Sequence, residues 1–319
     1  MALFGCLTNE RSSKMNILIA GASGFIGAEL VKALAPKHTV TVLGRDVHRL
    51  QKCFSKNILI KTWEQLPQLD ATNYDVVINL CGHNIAASRW NKAVKEKLID
   101  SRVDTNNQLI NWLIDKKAKP RFICANAVGI YGLQINGDPA QFDENSPIDM
   151  EHPRDFLSEV GVRWQESLVP AAKEGIAVTT VRFGVVLKKN QGFLKKIVPS
   201  FRMGMGSILG DGRQIISWVH IEDVIGSILF LLNRPDLTGA FNITSPNPVS
   251  QEQFARILAQ TLHRPLLLKV PAKIIQVLLG EMGDCLLLKG QRVIPKRLIE
   301  EGYQFAYPQC TDALKREFQ

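Results

Sequence analysis

Asn16 to Ala20 (NILIA) is a short apolar run. It leads directly into Gly21-Ala22-Ser23-Gly24-Phe25-Ile26-Gly27, and a helical stretch continues from Glu29 to Ala35. Gly21 permits a tight turn. Gly24 has no side chain, so an anion can approach the backbone. Gly27 lets the helix pack close to the strand. The start of the helix presents free N–H groups to that anion. Strand, loop and helix in this order predict a nucleotide-binding βαβ unit, with the seven residues from Gly21 to Gly27 as its phosphate loop. A glycine-rich turn without a ligand is the alternative.

The rest of the first half supports that unit. Thr39 to Leu43, Asp75 to Leu80, Arg121 to Ala125 and Ala177 to Phe183 read as buried strands. Asn91 to Asp115 and Trp164 to Glu174 read as helices. Strands buried on both faces and alternating with helices predict an α/β fold, a doubly wound, Rossmann-like parallel sheet. After Gly184 the loops grow rich in Gly, Lys and Pro. Phe193 to Phe201, Asp223 to Leu232 and Ser250 to Leu262 read as helices, with Ser250 as N-cap. Gly239 to Thr244 reads as a strand. The expected division is a dinucleotide domain over 15–184 with a return segment near 214–232, and a smaller substrate-side lobe over 185–319. Residues 1–14 read as a disordered extension, with Met15 as an alternative start.

Composition narrows the function classes. The chain has 319 residues, 45% of them hydrophobic, enough for a sizeable core. The net charge of +9 raises the question of nucleic acid, but the lysines are dispersed and no recognised motif accompanies them. A solvated basic surface is the expectation, and nucleic acid is not an expected partner. The six cysteines form no CxxC pair and no metal-ligand spacing, so no metal is expected and a reducing, cytoplasmic setting is. No run approaches the ~18 apolar residues of a bilayer span, so no membrane partner is expected.

The second strand ends Leu43-Gly44-Arg45-Asp46. An NAD site usually has an acid here for the ribose 2′-hydroxyl. Gly44 stands in that place, and the Arg45 fork suits a 2′-phosphate. The expected cofactor is therefore NADP(H) rather than NAD(H), unless Asp46 turns inward to the ribose.

The spacing G-x-x-G-x-x-G resembles the extended short-chain dehydrogenase/reductase superfamily, which includes nucleotide-sugar epimerases and dehydratases. Asn79-Leu80-Cys81-Gly82 is similar to its strand-four end, and the resemblance implies that Leu80, Cys81 and Gly82 flank the cofactor. Arg102, in Ser101-Arg102-Val103, would face the phosphates or the active site. Arg182 to Leu187 resembles the strand-six exit, which puts Val186 beside the nicotinamide. Trp218 to Asp223 resembles a late signature with a structural role. The segments NLCGHNI (79–85), Ser88-Arg89-Trp90, RFGVVL (182–187), Pro199 to Gly204 and Gly290 to Pro295 are more specific. From Met15 to about Tyr307 they resemble an atypical branch of epimerase-family proteins with a C-terminal domain of unknown function, here over 264–310.

That superfamily transfers protons through Tyr-x-x-x-Lys on a helix and a Ser or Thr after strand five. By position the Tyr becomes Leu157, the Lys becomes Gly161 and the Ser becomes Asn126. None of Tyr74, Tyr131, Tyr303 and Tyr307 has a Lys four residues on. Candidates for a substitute acid/base are His83, Tyr131 and Asn126, with Ser158 and Arg163 beyond them. His220 reads as structural.

Three functions stay open. One is an NADP(H)-dependent oxidoreductase on an unknown small carbonyl or hydroxyl substrate. A second is a catalytically silent NADP(H)-sensing protein acting on a protein partner or a second copy. The third is a nucleotide-sugar epimerase, which the family name alone implies. The basic stretch Lys289 to Arg297 would suit a phosphorylated substrate or plain solvent.

Overall fold

The computed structural model describes residues 13–319. The expected extension, apart from its last two residues, lies outside them, as does Cys6.

The chain begins with β1 (Asn16–Ala20), α1 (Phe25–Leu34), β2 (Thr39–Gly44), α2 (Val47–Cys53), β3 (Leu59–Thr62) and β4 (Val76–Asn79). It continues with α3 (Lys92–Asp115), β5 (Arg121–Ala127), α4 (Phe156–Glu166), α5 (Val169–Lys173) and β6 (Val178–Phe183). Next come β7 (Val185–Leu187), α6 (Gly192–Arg202), β8 (Ser207–Leu209), β9 (Ile215–Ile216), β10 (Trp218–His220) and α7 (Ile221–Leu232). The last elements are β11 (Gly239–Ile243), β12 (Val249–Ser250), α8 (Gln251–Thr261), β13 (Leu268–Val270), α9 (Ala272–Gly283), α10 (Lys296–Glu300) and α11 (Cys310–Phe318).

The main sheet has seven parallel strands in the order β11-β6-β5-β4-β1-β2-β3. The order reverses between β1 and β4. Such a switch point leaves a crevice beyond the carboxyl ends of the strands, where ligands bind in open α/β sheets. The strands are apolar because both faces are covered: Ile17, Leu18 and Ile19 have no solvent exposure. On one face, Ile17, Leu30 and Val42 share a core with Val224, Ile228 and Leu231 of α7. On the other, Leu18, Val77 and Phe122 pack with Leu109, Trp112 and Trp164.

Three readings shift. The helix expected over Trp164 to Glu174 is two helices, because Pro170 opens α5. Proline has no N–H for the continuing ladder, and its ring collides with the preceding turn. The segments α2 and β3 join the sheet layer without having stood out in the sequence. The seventh strand, β11, lies beyond the expected return segment, so the first layer draws on 218–243. Ser250 caps α8 as expected, in a reciprocal box with Gln253.

The lobe has its own core, from Leu187, Leu194, Phe201 and Trp218 to Phe254, Leu258 and Leu314. Asp223 ties it to the sheet. Its carboxylate accepts from the backbone of Ala306 (2.7 Å) and Tyr307 (2.9 Å) and from the Tyr303 hydroxyl (3.2 Å). This matches the structural role expected of the late signature. Among the described residues, no helix is long and apolar enough to cross a membrane, and no His, Cys, Asp and Glu cluster could hold a metal ion.

Candidate functional site

The glycine loop sits at the switch point. Gly21 has φ +80°, and a Cβ there would lie 2.6 Å from the carbonyl carbon of Leu80. Only glycine lets β1 and β4 converge this closely. Gly24 is the N-cap of α1, without a side-chain cap and with no acid in the first turn. Its carbonyl takes the first helical bond from Ala28 (3.0 Å), which leaves the N–H groups of Phe25, Ile26 and Gly27 outside the ladder. A ten-residue helix with an uncapped, acid-free N-terminus fits a phosphate group.

Gly44 and Arg45 follow at the tip of β2. A Cβ on Gly44 would meet Leu50 at 2.9 Å, so the turn into α2 is tight. Asp46 does not turn toward a ribose. It caps α2, accepting from the backbone of Arg49 at 3.1 Å. Arg45 is exposed and has no carboxylate partner among the described residues. Its positive charge reaches the Cys81 thiol and the His83 ring. These residues fit a 2′-phosphate better than a free 2′-hydroxyl.

The β4 exit is held by buried amides that sequence reasoning missed. The Asn79 side chain donates to Asn106 (2.7 Å) and Thr105 (3.1 Å) and accepts from the Cys81 backbone (3.0 Å). Asn106 in turn donates to Ser167 at 2.8 Å. A polar residue ending an otherwise apolar strand was the available signal. Burial pushes the Cys81 thiol up to about 12 despite the pull of Arg45.

Arg102 lies at this exit but turns inward. It donates to the carbonyls of Leu98 (2.6 Å) and His83 (3.1 Å), and its guanidinium lies 4.9 Å from the Trp164 ring. Burial brings its pKa down to about 10. One terminal nitrogen thus braces the Gly82–His83 turn, the other ties the side chain back to its own helix at Leu98, and Nε is buried without a partner among the described residues.

The positions expected to be catalytic are equally committed. Asn126 donates to the Gly161 carbonyl (3.1 Å) and accepts from the Ala127 backbone (2.8 Å). Gly161 itself is closed off, since a Cβ there would lie 2.6 Å from that of Ile130. Leu157 packs over Gly129 and joins an apolar cluster with Trp90, Phe156 and Met282. The Tyr131 hydroxyl accepts from Arg182 (2.8 Å) and donates to Asn242 (2.9 Å), and its ring stacks on Phe142. Burial raises its pKa, partly offset by the charge of Arg182. Ser158 completes the α4 capping box with Asp155. Arg163 lines a cleft with Met150, Glu159 and Glu166 on the outer side of α4. His220 is fully buried, caps α7 and pairs with Glu317 at 2.9 Å.

His83 is different. Its backbone is fixed by Ser101 and Arg102, but its ring has no hydrogen-bond partner among the described residues. Burial, together with the charges of Lys97, Arg102 and Arg45, lowers its pKa. The ring lies beside the β4 exit, where the backbone of His83 is held by Ser101 and Arg102.

The basic stretch after 289 is largely spent on the fold. Lys289 pairs with Asp284 (2.7 Å) and Lys296 with Asp143 (3.3 Å). Arg297 donates to the carbonyls of Ala240 and Thr238 and stacks on Phe241 at 3.9 Å.

Comparison with known proteins agrees with this geometry. The NAD dependent epimerase/dehydratase family matches residues 17–244, and a domain of unknown function, DUF1731, matches 270–317. The chain is 34% identical to the Arabidopsis thaliana "Epimerase family protein SDR39U1 homolog, chloroplastic", over 97% of this chain and 88% of that one. It is 33% identical to the Bacillus subtilis "Epimerase family protein YfhF", covering 95% and 97%. A crystal structure of the human epimerase family protein SDR39U1 with NADPH superposes with a TM-score of 0.83 at 29% identity, over 95% of this chain and 99% of that one. UDP-glucuronic acid 4-epimerase from Bacillus cereus, at 17% identity and TM-score 0.75, shares the fold. The plant relative is chloroplastic, so the family is not confined to the cytoplasm. This chain belongs to the NAD dependent epimerase/dehydratase family, in the atypical extended short-chain dehydrogenase/reductase branch of epimerase-family proteins that carry a C-terminal DUF1731 domain.

Proposed function

We propose that this protein binds NADP(H) and exchanges hydride between it and a small carbonyl or hydroxyl compound, without the Tyr-x-x-x-Lys dyad. The observation that carries the binding is the pairing of an uncapped, acid-free α1 N-terminus with Arg45 at the tip of β2, which has no carboxylate partner among the described residues. The backbone N–H groups of Phe25, Ile26 and Gly27 would hold the pyrophosphate, and the Arg45 guanidinium the 2′-phosphate. The human relative crystallised with NADPH supports the choice of cofactor. Bound NADPH supplies a hydride for carbonyl reduction. His83 carries the matching proton, because among the described residues its ring, unlike the Tyr131 hydroxyl and the Asn126 amide, has no hydrogen-bond partner. Arg102 fixes the turn from which it works.

A second reading, a binder without turnover, is favoured by one observation: Ile130 bars any side chain at Gly161. A screen of carbonyl compounds with NADPH, followed at 340 nm, separates the two. Turnover that His83→Asn removes supports the first reading. Tight NADPH binding with no turnover on any aldehyde or ketone class supports the second. Nucleotide-sugar epimerisation, which the family name implies, ranks below these two readings, because no Tyr-x-x-x-Lys occurs in the sequence.

A further inference from the structure

We propose that the C-terminal lobe docks on the surface of an anionic lipid bilayer through the β8–β13 ribbon and the outward face of α9.

The two parts form one continuous surface. β13 pairs with β8 in parallel, with Leu268 opposite Ser207. Arg264 donates to the Arg202 carbonyl at 2.9 Å, which fixes the start of the ribbon. A Cβ on Gly210 would lie 3.9 Å from that of Ala272, so α9 begins beside the ribbon's end.

This surface is apolar where it meets solvent. Twelve large hydrophobic side chains are exposed among the described residues, and seven of them lie within 203–205 and 267–278. Leu267 is 84% exposed and Val277 74%. On α9, Ile275 faces inward, while Ile274, Val277 and Leu278 form an outward stripe at helical spacing. Met203 and Met205 add flexible apolar side chains at the ribbon. Clustering of this kind marks an interaction surface rather than scattered surface residues.

The charges identify the occupant. Residues 195–210 and 263–280 contain six Lys and Arg and no Asp or Glu. None of Lys195, Lys196, Arg202, Arg264, Lys269 and Lys273 has a carboxylate partner among the described residues. The carboxylates that follow, Glu281 and Asp284, are neutralised by Lys95 and Lys289. A second copy would bring like charges face to face. An anionic bilayer supplies an apolar interior and a negative plane together, and lysine stems reach from one to the other. A surface contact needs no spanning helix, and none is present among the described residues.

The test is co-sedimentation of the full chain with vesicles of phosphatidylcholine alone, or with about 30% phosphatidylglycerol. The expected result is at least tenfold more protein on the anionic vesicles, roughly, at low salt, and release near 1 M salt. Val277→Glu/Leu278→Glu and Lys269→Glu/Lys273→Glu should each lose that binding by about tenfold, with unchanged melting curves and NADPH titrations. Four results overturn the proposal. The folded protein stays in the supernatant with anionic vesicles, or it binds both compositions equally. Light scattering shows a dimer that the Val277 and Leu278 changes dissolve. Binding to soluble polyglutamate matches binding to vesicles and is indifferent to those changes.

Discussion

Ile130 occupies the space that a side chain at Gly161 would need: their Cβ atoms would stand 2.6 Å apart. Asn126 reinforces this contact by donating to the Gly161 carbonyl. A side chain at Gly161 is thus excluded by packing against Ile130. Gly161→Ala should cost about 1–3 kcal/mol through overpacking, read as a lower Tm. Gly161→Lys in a Leu157→Tyr background should be destabilised further and gain no turnover. A stable, active double variant would refute the steric account.

Arg45 offers a guanidinium with no carboxylate partner among the described residues. Arg45→Ala should weaken NADPH binding by roughly ten- to a hundredfold, the value of a charge-assisted hydrogen bond of about 1.5–3 kcal/mol. NADH binding should change far less. Fluorescence titration with both nucleotides checks this, and an equal loss for the two would remove Arg45 from the 2′-phosphate.

Gly24 separates folding from binding. A Cβ there meets only the Gly21 carbonyl oxygen, at 3.1 Å, so alanine fits with a small shift. It would still intrude where the pyrophosphate meets the backbone. Gly24→Ala should keep nearly the wild-type Tm and lose NADPH affinity by about tenfold or more. Unchanged affinity in a titration would place the phosphates elsewhere.

The pKa of His83 lies below the ordinary histidine value, through burial and the charges of Lys97, Arg102 and Arg45. Reduction of a carbonyl needs its protonated form, so kcat/KM for reduction should fall as pH rises through that depressed pKa. Oxidation of an alcohol needs the neutral form, so its rate should rise through the same pH. His83→Asn should flatten both profiles. A profile that keeps its inflection in the variant assigns the proton to another group.

Asp223 holds the sheet layer to the lobe through three donors. Burial raises its pKa, and the hydrogen bonds from Ala306, Tyr307 and Tyr303 pull against that rise. Asp223→Ala leaves those donors unsatisfied and should cost about 2–4 kcal/mol by chemical denaturation. Asp223→Asn should cost less, because one oxygen still accepts. Equal, negligible losses would show that the lobe is held elsewhere.

The parts of the fold visible in the sequence are those with local causes. The β1–glycine–α1 unit announces itself because each glycine answers a steric demand within a few residues. Ser250 was readable as a cap for the same reason. Pro170 was equally local, yet the apolar run around it hid the break between α4 and α5. The site's inner bracing was not readable. Asn79 and Asn106 are 27 positions apart, and Tyr131 and Asn242 are 111 apart. The direction of Arg102 depends on carbonyls at Leu98 and His83, which no motif encodes. For Arg45 and Asp46, sequence left two roles open, and the capping bond to Arg49 separates them.

The edge of β6 is covered by β11, a strand that follows the lobe's first elements and α7 in the chain. A nascent polypeptide that has emerged only through β6 therefore presents a bare row of amide and carbonyl groups, and α1 waits for α7 to cover its outer side. A fragment ending at residue 184 would behave as an aggregation-prone intermediate rather than as a free-standing nucleotide module. The sheet that carries the nucleotide crevice is thus completed only by β11, whose last residue is Ile243.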